Sequence, residues 1–86
     1  MGRAADEKLI EQLRQIGREV AGRPLHVHHV HIHEYGSNTE LTVYINMDGS
    51  IPLERAHETG SAFEKAVRER LDMETTVHIE PGGEAD

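Results

Sequence analysis

The sequence predicts an α+β domain whose elements run α-β-β-α-β. Three observations carry that prediction. Two stretches place apolar residues three and four apart, which is one face of a helix. Two others alternate apolar with polar residues, and one more is dense in β-branched residues and histidine, as strands are. Between them stand short runs of Gly, Pro, Asn, Asp and Ser, where the chain must turn.

The first helix is read over residues 6–21 from Leu9, Leu13, Ile16 and Val20. Asp6 and Glu7 suit the positive end of its dipole and Arg18 the negative end, and Gly22 followed by Pro24 stops it. Residues 26–35 (HVHHVHIHEY) carry no helical stripe and read as a strand, closed by Gly36-Ser37-Asn38 as a hairpin connection. Leu41, Val43, Ile45 and Met47 then alternate with Thr42, Tyr44 and Asn46, a strand with one wet face. Asp48-Gly49-Ser50 turns the chain, with Ser50 in the N-cap role and Pro52 in the first turn of the next helix. That helix shows the stripe Leu53, Ala56, Gly60, Phe63, Val67 and Leu71. A last strand alternates over Thr76–Glu80 and ends at Pro81.

A strand, a helix and a further strand make a right-handed crossover, so the 41–47 and 76–80 strands should run parallel. The 26–35 strand is antiparallel to both and is expected between them. The result is a ferredoxin-like open sandwich, a three-stranded mixed sheet with two helices on one face. Residues 1–86 are read as one domain with an ordered core of about 6–81 and frayed ends at 1–5 and 82–86. The sheet's other face is left to meet water or a second copy of the chain.

Composition narrows the chemistry. Leu, Ile, Val and Phe total 19 of 86 residues, so the core is small, and with no Cys it has neither disulfides nor thiolate metal clusters to support it. No apolar run approaches the ~20 residues of a membrane span. A net charge of −7 repels phosphate backbones, and three aromatic residues offer no stacking platform, which argues against nucleic acid. There is no cysteine nucleophile, no Gly-rich phosphate loop and no activated serine context, so the chain does not read as an enzyme.

Cations fit better. Five of the seven histidines lie within residues 26–33. By parity, His29, His31, His33 and Tyr35 share the open face, with His26, His28, Val30, Ile32 and Glu34 on the other; Val27 breaks that pattern and suggests a bulge near His28. Residues two apart on one face sit roughly 6–7 Å apart, so His-x-His on a strand can chelate one ion. His78 and Glu80 form a second such pair, and His57 stands beside the core stripe of the second helix. Each has a bland alternative: a tolerated strand histidine, a solvated strand face, a boundary residue bonded to backbone. Together, imidazoles and carboxylate without thiolate suit zinc or another divalent transition metal. Binding through imidazole should fade as pH falls through roughly 6.5, the ordinary imidazole range, because protonated imidazole cannot ligate. A looser site is expected on His29, His31 and His33.

The run His28-His29-Val30 to Gly36, the segment Ser50-Ile51-Pro52-Leu53-Glu54-Arg55-Ala56-His57 and the ending Val77-His78-Ile79-Glu80-Pro81 resemble the cytosolic C-terminal domain of cation diffusion facilitators. The likeness spans roughly residues 6–81. It implies a metallochaperone-like domain that forms a homodimer, binds zinc or a related ion between protomers and biases the transmembrane half of a metal exporter. It also implies a cytoplasmic location, with no membrane insertion by this part of the chain. Carried over position by position, the family's ligands fall on His28, His57, His78 and Glu80, the last replacing an aspartate. Its second-strand histidine falls on Tyr44, which leaves His26 or another histidine of the 26–35 strand as the substitute. An excised transporter domain, a free-standing soluble metal carrier and a purely structural dimerisation module remain the alternatives.

Overall fold

In the computed structural model, which describes residues 2–82 with side chains from residue 5 onward, the order of long elements is the expected one. Gly2–Ala4 adds a short strand, β1, ahead of helix α1 (Glu7–Ala21). Strands β2 (His26–Tyr35) and β3 (Asn38–Met47) form a hairpin, helix α2 spans Leu53–Leu71, and β4 is Glu74–Pro81.

Helix α1 is capped as its sequence dictates. Asp6 accepts a hydrogen bond from the Leu9 amide at 2.9 Å, and Gly22 takes a left-handed conformation that returns its amide to the Arg18 carbonyl. Helix α2 departs from expectation at its start. The cap position falls on Pro52, without a side-chain hydrogen bond, and Ser50 instead belongs to the preceding turn. There Asp48 accepts the Ser50 amide at 2.9 Å, and this bond is the main cause holding the Asp48 carboxyl below its ordinary range.

The sheet corrects the expected strand order. Its sequence is β1-β2-β3-β4, so β3, not the histidine-rich β2, lies between the other two long strands. As expected, β3 and β4 are parallel and β2 is antiparallel to β3. The physical reason is burial. Leu41, Val43, Ile45 and Met47 on β3 are all buried, whereas Val77 and Ile79 on β4 are only half-buried, so the most apolar strand takes the centre. The α2 crossover then returns to the nearest open edge, beside β3. The outer edge of β2 is covered by β1, which pairs Gly2 with His33 and Ala4 with His31. Residues 2–4 are therefore not a frayed end; the expectations for residues 1 and 83–86 lie outside the described residues.

Both helices cover one sheet face, where Leu9, Leu13 and Ile16 of α1 and Ala56, Phe63 and Val67 of α2 pack on Val27, Val30, Ile32, Val43 and Ile45. Leu53 is the exception in the α2 stripe: it lies 85% exposed at the helix's first residue. Gly60 brings α2 close to β4, since a Cβ there would stand 3.1 Å from Ile79 Cδ1 and 3.9 Å from Val77 Cγ1. Gly60→Val should destabilise the domain by about 1–3 kcal/mol through overpacking, read from urea unfolding curves. An unchanged midpoint would mean that β4 simply shifts outward.

Helix α2 also satisfies the outer edge of β4. Glu64 accepts a hydrogen bond from the Val77 amide at 3.2 Å, giving an edge-strand donor a carboxylate partner. Glu64→Ala should cost about 1–2 kcal/mol. Hydrogen exchange should report it most strongly at the Val77 amide; equal loss of protection throughout the sheet would rule out this local role.

Candidate metal centre

The bulge in β2 determines which histidines share a face. Val27 pairs with Ile45, but His29 pairs with Tyr44, so His28 is one residue extra on its strand. Parity changes there. Val27, Val30 and Ile32 all point into the core, at 2–6% exposure, while His28 and His29 are both exposed. Without the bulge, keeping Val30 and Ile32 inside would force Val27 out, and burying its side chain is worth roughly 1.5–3 kcal/mol. His26 and His28, expected on the helix side from parity, therefore belong to the open face.

The register sets that face out in rows. His29, Tyr44 and His78 align across three strands, and His26, Asn46 and Glu80 align in the next row. Tyr44 is the hub. Its ring stacks on His78 with centroids 4.8 Å apart and planes 13° from parallel, and it stands 5.4 Å from His29 and 6.2 Å from His28. His28 reaches over β3 to place Nε2 3.2 Å from Glu80 Oε1. Farther along β2, His31 Nε2 lies 2.6 Å from His29 Nε2, and the His33 ring stacks on His31 with 6.2 Å between centroids.

The face thus brings together His28 and Glu80, and places His78 beside them against Tyr44. It does not bring in His57, which is exposed on α2, in the opposite layer of the sandwich. Among the described residues, no three His, Asp or Glu side chains stand close enough to hold one ion within a single chain. The sequence reading missed Tyr44 as the organiser of the face. Its place on the wet side of an alternating strand was the available signal, and only the strand order makes it central.

Chemically, an imidazole nitrogen and a carboxylate oxygen 3.2 Å apart match the spacing of two ligands around a tetrahedral ion, about 3.3 Å for bonds of ~2.0–2.1 Å. The two side chains are 37% and 48% exposed, so an ion could reach them from solvent. A carboxylate and neutral imidazoles suit zinc and its divalent neighbours.

A two-layer α+β sandwich with two helices on one face of a mixed sheet is the ferredoxin-like architecture. The sequence profile of the cation efflux protein cytoplasmic domain matches residues 5–82, and the chain belongs to that family. It is therefore a cytoplasmic domain of a cation efflux protein; within the described residues, no helix is long and apolar enough to cross a membrane. Two solved structures of CzrB are similar at 27% identity. One covers 92% of this chain and 99% of that chain with a TM-score of 0.73, and the other, a Zn form, covers 100% and 99% with a TM-score of 0.75. The copper form of the MamM C-terminal domain shares the fold at 22% identity and a TM-score of 0.72, over 93% of this chain and 89% of that one. No curated protein matches the chain.

Proposed function

We propose that this domain is the metal-sensing dimerisation module of a divalent-cation efflux transporter, with zinc as its ion. The observation that carries the reading is the His28–Glu80 pair, with His78 beside it, on a sheet face that no other element of the described residues covers. Family membership and the likeness to a Zn form of CzrB support it. His28 and Glu80 supply two ligands from one chain, and His78, stacked on Tyr44 beside them, would have to turn toward the ion to add a third. His57 is too far removed in the fold to join them there, so it contributes from a second copy packed against the open face. Leu53, one turn before His57 and 85% exposed, offers that contact an apolar anchor.

Two chains bring a charge of −14 together, which opposes close approach, and bound divalent ions cancel part of it. Metal therefore favours a closed dimer to the extent that it binds that state more tightly. Zinc calorimetry should show saturable binding at micromolar or lower free metal, and a chain that binds no zinc under those conditions would overturn the reading. Spin labels on α2 should report a shorter and narrower inter-protomer distance with zinc than without. Identical distributions would leave a static metal-binding dimer in place of a sensor.

A further inference from the structure

We propose a second metal site on the same face, built from His29 and His31 alone and selective for copper(II) or nickel(II) over zinc. It goes beyond the zinc-sensing reading and does not depend on it.

The geometry is specific to these two rings. His29 and His31 are successive outward residues of β2, and their Nε2 atoms converge to 2.6 Å. Their centroids stand 4.4 Å apart with planes at 62°, so the rings do not lie face to face, and the two nitrogens share a hydrogen bond that a bound ion would replace once the donor ring shifts its proton to Nδ1. Both side chains reach solvent. His33, which the sequence places in the same row, is held differently. Its ring lies within 20° of parallel to His31, with centroids 6.2 Å apart, and so stacks on the pair instead of converging with it.

The nitrogen separation selects the ion. Two cis ligands of a square-planar ion, with bonds of about 2.0 Å, are about 2.8 Å apart, while two ligands of tetrahedral zinc are about 3.3 Å apart. Opening from 2.6 to about 2.8 Å is a small movement of two exposed rings; opening to 3.3 Å asks more of side chains already packed between Tyr44 and His33. The donor set points the same way. Two neutral imidazoles with no carboxylate favour the later first-row ions, with copper(II) the tightest. One sheet face would thus carry two sites of different metal preference, with Tyr44 between His29 and His78.

The test uses the full 86-residue chain with His28→Ala, His78→Ala and Glu80→Gln together, which removes the zinc ligands and leaves the pair intact. Copper(II) titration followed by electron paramagnetic resonance should show one equivalent bound with coupling to two imidazole nitrogens. Adding His29→Gln and His31→Gln should abolish that signal, while His33→Gln alone should leave it unchanged. A two-nitrogen copper signal that survives loss of both His29 and His31, or no such signal in the triple variant, would overturn the proposal. The chain with only His29→Gln and His31→Gln should keep its zinc isotherm, so a failure of the zinc reading appears separately.

Discussion

Phe63→Ala should lower the melting temperature by about 15–30 °C and leave a large fraction of the chain unfolded near physiological temperature. Phe63 is the only phenylalanine in the sequence and is fully buried between α2 and the sheet, against Val43, Ile45 and Val67. Removing a buried aromatic ring costs about 3–5 kcal/mol, from lost transfer energy and the cavity left behind. Domains of this kind have only about 5–15 kcal/mol in total, and each kcal/mol moves the midpoint of a 60–100-residue domain by about 4–8 °C. Among the described residues, no other aromatic side chain belongs to the buried core, so the hole would be left to aliphatic neighbours. Leu53→Ala makes the matched comparison, because Leu53 belongs to the same helical stripe but lies outside the core. It should change fold stability by no more than about 0.5 kcal/mol. Thermal unfolding followed by circular dichroism separates the two. Equal shifts for both variants would show that the α2 stripe is not buried as the structure has it.

His28→Ala combined with Glu80→Gln should weaken zinc binding by at least about 100-fold while leaving the fold intact. Changes to groups that merely orient metal ligands already cost about 10–100-fold, so loss of two direct ligands should exceed that range. Both side chains are substantially exposed and reach each other across the open face, so their removal leaves no buried group unpaired. His57→Ala should also weaken binding, but as a contribution from a second copy: its effect should shrink when protein concentration falls below that needed for dimerisation. Calorimetry at two protein concentrations reads both effects. Unchanged affinity in the double variant would remove the pair from the site. A concentration-independent effect of His57 would place its ligand role within one chain.

Much of the fold can be read residue by residue. Helix α1 is legible because its cap, its stripe and its stop are all local: Asp6 meets the Leu9 amide three residues on, and Gly22 supplies the left-handed residue that ends the helix. Strand β3 is legible because alternation has a period of two and one wet face. The bulge at His28 left only a faint trace, the awkward parity of Val27, and the structure turns that trace into two additional outward histidines. Leu53 shows the opposite failure. It fits the helical stripe, yet it stands at the helix's first residue and lies outside the core.

The candidate site divides in the same way. Residue types alone made a cation held by nitrogen donors the expected ligand, since five histidines within eight positions stand on an acidic, cysteine-free chain. Sequence alone also determined that these histidines lie on a strand, because local periodicity and β-branching act over short separations. Only the tertiary structure decided that β3 lies between β2 and β4, that Tyr44 becomes the hub, and that His28 meets Glu80, 52 positions away in the chain. Which strand occupies the centre is a competition over buried area among all the strands at once, and no single segment encodes its outcome. The distribution of the candidate ligands follows from that competition: His28, His78 and Glu80 share the sheet face opposite the helices, and His57 stands on the helix layer.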